Sequence, residues 1–164
     1  FPDGRFENFD ETVESDGLEF ILVAALNDRN SVSFDYTSTD AKFEGTSTQV
    51  QDIPESLMKL GWTYSAMQAP VDINVSVLNV GDVYDQVTAI GRVEHGDYTV
   101  VDVGAGFYFD EDRRHRLGLR LENLFDEDYA TSIGRGRLDV NNASYAYRNL
   151  GAPRALHVDY SYRY

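Results

Sequence analysis

The chain has 164 residues, with 28 acidic against 14 basic side chains, a formal net charge of −14, and no cysteine. This charge argues against nucleic-acid binding, which needs a basic surface facing the phosphates, and against lysine-mediated binding to anionic lipid. The lack of cysteine excludes disulfides, thiolate metal sites and thiol nucleophiles. The longest apolar run, Phe20 to Leu26, is far shorter than the ~20 residues of a membrane-spanning helix.

The first residues are acidic and break the pattern that follows, so we predict a loop there. From Gly17 onward, apolar side chains recur at every second position, which is the period of a β-strand. Seven strands are predicted, over residues 17–26, 31–37, 58–66, 71–77, 101–109, 117–122 and 154–164. An eighth strand between Arg5 and Val13 is the alternative for the N-terminal residues.

The predicted connections alternate in length along the chain. Residues 27–30, 68–70 and 110–114 form short turns, whereas residues 41–53, 81–96 and 130–153 form long loops. Short turns at one end and long loops at the other are typical of outer-membrane barrels.

The last strand separates apolar and polar side chains most clearly. Leu156, Val158, Tyr160, Tyr162 and Tyr164 share one face, and Ala155, His157, Asp159, Ser161 and Arg163 share the other. Aromatic pairs precede the short turns or the C-terminus: Trp62 and Tyr64, Phe107 and Phe109, Tyr162 and Tyr164. We therefore predict an all-β fold, a transmembrane antiparallel β-barrel with lipid outside and a hydrated interior. A soluble sandwich or lipocalin-like barrel shares the period, but the small and polar inner residues would make a poor dry core.

Seven strands cannot close a bacterial barrel, which has an even number of strands. An open sheet would leave two edges in hydrocarbon, where each unsatisfied backbone group costs several kcal/mol. We therefore expect further strands to come from the same precursor or from a second chain.

Two motifs near the C-terminus carry a family resemblance. One is Asn-Leu-Phe-Asp-x-x-Tyr, and the other is Gly-x-Pro-Arg before the last strand. The motif residues are Asn123, Leu124, Phe125, Asp126, Tyr129, Gly151, Pro153 and Arg154. Both resemble the C-terminus of TonB-dependent outer-membrane receptors. The chain departs from that pattern at its last residue, Tyr164 instead of Phe, and at Ser56, where the family has His in an Ile-Pro-x-His motif.

The resemblance implies a barrel of roughly 22 strands around a plug. Residues 1–164 would form its C-terminal part, the last seven or so strands, with the plug absent from this chain. Such receptors lie in the outer membrane of Gram-negative bacteria and import ferric siderophores, haem, cobalamin or saccharides, with energy relayed by the TonB complex to the plug. The implied partners are the remaining strands, the plug, outer-membrane lipid and the barrel assembly machinery, whose signal Tyr160, Tyr162 and Tyr164 resemble.

The third long loop is the candidate substrate-binding segment. It holds arginines in an otherwise acidic chain, together with aromatic rings: Arg135, Arg137, Tyr145, Tyr147 and Arg148. Arginine forks suit carboxylates, and aromatic rings bind planar or sugar ligands. The alternative is a loop that pairs with neighbouring acidic loops.

We expect no enzymatic activity, cofactor or metal. His157 and Asp159 share a strand face, but one such pair is not a catalytic triad. The acidic triplets at residues 110–112 and 126–128 lack the spacing of a calcium loop, and charge pairing with nearby arginines explains the first. Two other functions stay open, a small complete barrel with a structural or adhesive role and an outer-membrane enzyme.

Overall fold

The computed structural model describes residues 12–65, 70–87, 90–138, 140–141 and 143–164, and these contain nine β-strands and no helix. The strands are β1 Val13–Asn27, β2 Asn30–Phe43, β3 Ser56–Ser65, β4 Val71–Val87, β5 Gly91–Tyr108, β6 His115–Glu122, β7 Ala130–Arg137, β8 Ser144–Leu150 and β9 Ala155–Tyr162. No helix in these ranges could cross a membrane. The alternative eighth strand, between Arg5 and Val13, lies outside the described residues except for its last two positions. Val13 is the first residue of β1.

Seven strands form one antiparallel sheet in the order β1-β2-β3-β4-β5-β6-β9, and β7 and β8 form a separate hairpin between β6 and β9. The predicted seven-stranded, all-β fold is therefore confirmed. Within the described residues, β1 and β9 each pair on one side only, so the sheet is open.

The strand register aligns most of the apolar side chains on one face of the sheet, although Val23 of β1, opposite Ser33, and Leu78 of β4, opposite Lys59, lie on the other face. Phe34 pairs with Leu22 and Leu60, and Val77 pairs with Leu60 and Val101. The apolar face comprises Phe20, Leu22, Val32, Phe34, Leu60, Trp62, Val75, Val77, Val101, Val103, Leu119, Leu121, Leu156 and Val158. The polar face comprises Ser31, Ser33, Asp35, Lys59, Gly61, Thr63, Asn74, Ser76, Asp102, Gly104, Arg120, His157 and Asp159. One-residue alternation thus divides the sheet into two surfaces of opposite character.

Neither face of the sheet covers a dry core. Val158 and Tyr160 are each 61% exposed, as is expected of side chains that face away from the protein. The buried apolar residues gather mainly at one end of the sheet, at Val80, Val83, Tyr84, Val87, Ala130 and Ile133. A self-contained sandwich would bury one complete sheet face, so that alternative is excluded by the exposed apolar face.

Short turns close the other end of the sheet, which we call the turn end. Asn27 closes the β1–β2 turn, because its Oδ1 accepts hydrogen bonds from the backbone N–H groups of Arg29 and Asn30 at 2.9 and 3.0 Å. Aromatic side chains lie near this end, and the indole N–H of Trp62 donates to Asn30 Oδ1 at 3.2 Å. At β9, the Tyr160 hydroxyl lies 2.6 Å from His115 Nδ1.

The long connections contain more β-structure than the sequence predicts. β4 and β5 continue as a hairpin through most of the predicted 81–96 loop, and β7 and β8 occupy the predicted 130–153 loop. These segments lack the apolar–polar alternation because they extend beyond the two-faced part of the sheet. We call the part of the β4–β5 hairpin within residues 81–96 the upper β4–β5 hairpin. Together with residues 44–55 and 123–154, it forms the end of the sheet that we call the loop end.

Candidate functional site at the loop end

The first feature of the loop end is a buried asparagine at the close of β6. Asn123 is 2% exposed, and its Nδ2 donates to the carbonyls of Glu127 at 2.9 Å and Ala152 at 3.0 Å. Its Oδ1 accepts from the N–H of Glu127 at 2.8 Å, and its own N–H donates to Asp102 on β5 at 2.9 Å. With a φ of 48°, Asn123 adopts the left-handed conformation that asparagine tolerates. One side chain thus joins the turn after β6 to the segment that enters β9.

The other motif residues complete the same connection. Asp126 accepts a hydrogen bond from the backbone N–H of Arg154 at 3.1 Å and pairs with its guanidinium at 3.4 Å. Tyr129 packs against Tyr98 of β5, with ring centroids 4.4 Å apart and the rings tilted by 35°. A Cβ on Gly151 would lie 2.0 Å from the Tyr129 ring, so only glycine fits there. The two motifs are therefore parts of one clasp, which we define as Asn123, Asp126, Tyr129, Gly151 and Arg154.

Hairpin β7–β8 carries the predicted substrate-binding residues on two opposite faces. The register pairs Arg135 with Ala146 and Ile133 with Arg148, which places the three arginines, Arg135, Arg137 and Arg148, on one face. Tyr147 lies opposite Gly134 and Tyr145 opposite Gly136, on the other face. A Cβ at either glycine would meet a tyrosine ring at 2.2 Å, so the glycines leave room for the rings. The two rings are 6.1 Å apart and remain 48% and 42% exposed.

The arginine face meets a buried carboxylate of the upper β4–β5 hairpin. Arg135 Nη2 donates to Asp85 Oδ1 at 3.2 Å, and the Asp85 side chain is only 3% exposed. Asp85 Oδ2 lies 3.7 Å from Nε2 of His95, whose side chain is 5% exposed. The carboxylate of Asp52 completes a group whose potential ligand atoms lie within 4.8 Å of one another. The sequence gives no sign of this cluster, because its members come from four separate segments.

Residues 51–55 reach the cluster by running along the free edge of upper β4. The N–H of Asp52 donates to the carbonyl of Tyr84, and the N–H of Glu55 donates to that of Asp82, both at 3.0 Å. Gln51 Oε1 accepts from the N–H of Gln86 at 3.2 Å. Burial raises the pKa of the Tyr84 hydroxyl, against the opposing effect of Arg92, whose guanidinium lies over the ring.

Two open cavities flank His95 at the loop end. One, of about 490 Å³, is lined by residues of the sheet and of β7, among them Leu78, Val80, Val83, His95, Tyr98 and Thr131. The other, of about 240 Å³, lies beside Arg148 and is otherwise rich in acidic side chains, Asp82, Glu94, Asp97, Glu127 and Asp128. Positive φ values at Gly96 (88°) and Asp97 (48°) interrupt the β5 alternation between the two-faced sheet and the buried hairpin. This interruption brings His95 to the same cavity as Leu78 and Val80.

Ion pairs occupy the polar face below these cavities. His157 Nε2 lies 3.2 Å from Glu122 of β6, and Asp159 pairs with Arg116 at 3.3 Å. Arg120 bridges Asp102 and Glu122 at 3.2 and 3.1 Å. His157 and Asp159 thus each contact a separate partner on β6, and the structure does not bring them together as a catalytic pair.

The first acidic triplet lies in the β5–β6 turn and pairs locally, as the sequence predicts. Asp110 accepts hydrogen bonds from the N–H groups of His115 at 2.8 Å and Arg114 at 3.1 Å, and Asp112 pairs with Arg114. The hydrogen bond from His115 is the main cause that lowers the pKa of Asp110, followed among lowering causes by that from Arg114. Asp112 correspondingly raises the pKa of Arg114.

The sequence of residues 1–124 matches the family model described as TonB dependent receptor-like, beta-barrel. The chain belongs to this family. This match covers most of the chain before the terminal motifs. It confirms the family resemblance that those motifs indicate. No curated protein sequence matches the chain at a significant level.

Solved structures of TonB-dependent receptors share the fold. The siderophore receptor PiuA from Acinetobacter baumannii is 20% identical, with a TM-score of 0.73 over 94% of this chain and 22% of its own. FpvA from P. aeruginosa, bound to heterologous pyoverdines, is 18% identical, with a TM-score of 0.74 over 93% of this chain and 20% of its own. The ferric-catecholate import receptor Fiu from E. coli K12 is 20% identical, with a TM-score of 0.73 over 99% of this chain and 22% of its own. The chain thus spans about a fifth of these relatives.

Proposed function

We propose that this chain is the C-terminal part of an outer-membrane receptor that takes up ferric siderophores in a Gram-negative bacterium. The observation that carries the proposal is a family-matched sheet with one continuous apolar face and one polar, ion-paired face. Such a sheet suits lipid on one side and a hydrated lumen on the other.

The open edges of the sheet support a larger barrel. β1 extends over residues 13–27 and, among the described residues, pairs only with β2. Unpaired backbone groups of such an edge would be costly in hydrocarbon. We therefore propose that further strands and a plug complete the receptor and that TonB acts through the plug. We also propose that Tyr160 and Tyr162 on β9, and Tyr164 just after it, contribute to recognition by the barrel assembly machinery.

The relatives support this substrate class, because their names refer to siderophores, pyoverdines and ferric catecholates. Within the loop end, the tyrosine face of hairpin β7–β8 is the best candidate for contact with such a ligand. Tyr145 and Tyr147 are exposed neighbours whose rings are tilted by 40° to each other, whereas Arg135 is already paired with a buried carboxylate. We propose that the two rings stack on planar groups of the siderophore; Arg135, Arg137 and Arg148 lie on the opposite face of the hairpin and are not part of this contact.

Uptake of ⁵⁵Fe-labelled siderophores tests the proposal in cells that lack their own siderophore receptors and express the complete native gene. We expect uptake that requires TonB and falls at least about tenfold in a Tyr145→Ala, Tyr147→Ala double variant. The matched control is Leu150→Ala, which also truncates an exposed side chain of β8, on the opposite face of the hairpin, and should leave uptake unchanged.

The mass of the protein extracted from outer membranes separates the remaining alternatives. A mass several times that of this chain, or a co-purifying partner, supports the receptor. A closed, monodisperse barrel of this length without uptake would favour the small structural or adhesive barrel instead. TonB-dependent uptake of haem, cobalamin or a saccharide but of no siderophore would keep the receptor and reject the substrate.

A further inference from the structure

We propose that the loop end holds a divalent transition-metal ion of the zinc type between Asp52, Asp85 and His95. The three side chains offer two carboxylate oxygens and one imidazole nitrogen within 4.8 Å of one another. Carboxylates and imidazoles are common zinc ligands, and a site with three protein ligands leaves a fourth position for water or another donor. This inference is independent of which nutrient the receptor imports.

Two of the three ligand atoms are buried and lack hydrogen-bond partners. Asp85 Oδ2 and His95 Nε2 have none among the described residues, although their side chains are only 3% and 5% exposed. Buried polar atoms are almost always satisfied, so two such atoms that face each other require an explanation. A shared cation satisfies both atoms at once.

The separation between these atoms favours a metal over a direct hydrogen bond. At 3.7 Å, Asp85 Oδ2 and His95 Nε2 are too far apart for an N–H···O bond. Two ligands at about 2.0–2.1 Å from a tetrahedral zinc ion would lie roughly 3.4 Å apart. The observed distance is within a few tenths of an ångström of that value, which small side-chain rotations would cover.

The surroundings hold the ligands as a metal site requires. Arg135 donates to Asp85 Oδ1 at 3.2 Å, which fixes the carboxylate while the Oδ2 atom remains directed at His95. Ligating carboxylates commonly have such outer hydrogen bonds. Asp52 is positioned through its backbone, which has a φ of 64° and donates to the Tyr84 carbonyl at 3.0 Å. Its exposed side chain is free to turn toward the ion.

The donor set selects the type of metal. Ca²⁺ and Mg²⁺ prefer oxygen ligands, whereas a buried imidazole nitrogen favours zinc and its neighbours in the transition series. The ion would connect residues 51–55, the upper β4–β5 hairpin and, through Arg135, hairpin β7–β8. It would therefore stiffen the surface over which an incoming ligand passes.

Zinc titration of the native protein tests this site. The detergent-extracted protein is stripped with EDTA, dialysed and titrated with Zn²⁺ in competition with a chromophoric chelator. We expect one ion per chain, and His95→Gln should weaken binding more than about 100-fold, since even outer-shell partners of metal sites are worth 10–100-fold. Asp52→Asn should weaken binding about tenfold, and because Asp52 is exposed, this variant should fold even if variants of the buried residues do not.

His157→Gln and Asp112→Asn are the matched controls, because both remove the same chemical groups outside the cluster, His157 on the polar face of the sheet and Asp112 in the β5–β6 turn at the opposite end. Neither should change the zinc affinity by more than about twofold. The proposal is overturned if the folded native protein binds no zinc, if His95→Gln or Asp52→Asn binds as tightly as the native protein, if His157→Gln loses as much affinity as His95→Gln, or if Ca²⁺ binds as well as Zn²⁺. Binding is measured without any siderophore, so failure here leaves the uptake proposal untouched, and failed uptake leaves this site untouched.

Discussion

Replacing Asn123 by alanine should release the clasp between β6 and β9. The substitution removes three side-chain hydrogen bonds, two to Glu127 and one to Ala152. It also places a Cβ-bearing residue without a compensating local hydrogen bond at a φ of 48°. We therefore expect the turn after β6 and the segment before β9 to separate more often, while the sheet itself stays paired.

The magnitude follows from these contacts. A hydrogen bond contributes about 1 kcal/mol net, so the three bonds contribute roughly 3 kcal/mol. Alanine in the left-handed region adds about 1 kcal/mol. Asn123→Ala should thus lower the local opening free energy by about 4 kcal/mol, and Asn123→Gly, which avoids the backbone penalty, by about 3 kcal/mol.

Hydrogen exchange measured by mass spectrometry on the native protein reads this opening directly. Peptides covering residues 123–129 and 150–155 should lose protection by a factor of several hundred in Asn123→Ala. Asn149→Ala is the control, because Asn149 is exposed and its side chain donates one hydrogen bond, to Ser132 at 2.9 Å. A change of less than tenfold in Asn123→Ala, or an equal change in Asn149→Ala, would refute the role of Asn123 as the centre of the clasp.

Three further predictions concern the sheet face, the glycine of the clasp and the β5–β6 turn. Val75→Lys should destabilise the barrel in lipid vesicles by about 2–4 kcal/mol. Ser76→Lys, one residue away on the polar face, should cost little. Equal losses of stability in guanidinium unfolding would contradict the assignment of faces. Gly151→Ala should cost about 1–3 kcal/mol by overpacking against Tyr129, and most of that cost should vanish when Tyr129 is also changed to alanine; an undiminished cost in the double variant would reject this contact as the cause. The pKa of Asp110 is lowered from 3.8, so its stabilisation of the turn should be complete above that pH and lost as the pH falls through the lowered pKa. Hydrogen exchange of the turn, corrected for intrinsic rates, should show this loss in the native protein. The Asp110→Asn variant should show no such step.

The sequence predicts the two-faced part of the sheet because one simple pattern governs it. Every second residue of a strand in hydrocarbon must be apolar, so the alternation at Val71 to Val77 is directly visible. The family motifs are also visible, although their physical role is not. Only the structure shows that Asn123 and Gly151 belong to one clasp, because Asn123 bonds to Ala152 and Gly151 bonds to Tyr129 across the hairpin inserted between the two motifs.

The loop end could not be predicted in the same way, since no single period governs it. Upper β4 is buried at consecutive positions, Val83, Tyr84 and Asp85, because residues 51–55 follow its edge and β7 contacts the neighbouring β5. Such burial depends on which distant segments meet. The register of β7 and β8 is also set by the fold. It places the arginines and the tyrosines of this one short hairpin on opposite faces.

The position of the buried polar cluster follows from this division of the chain. On the polar face of the sheet, Asp102 and Glu122 pair with Arg120 while their side chains stay partly exposed to water. At the loop end the upper hairpin is covered, and a carboxylate there must be neutralised by a neighbouring charge. Arg135 supplies one positive charge to Asp85 on one oxygen, and the second oxygen faces a histidine nitrogen that cannot reach it. The two atoms of the cluster left without partners among the described residues, Asp85 Oδ2 and His95 Nε2, are those that the proposed zinc ion would satisfy.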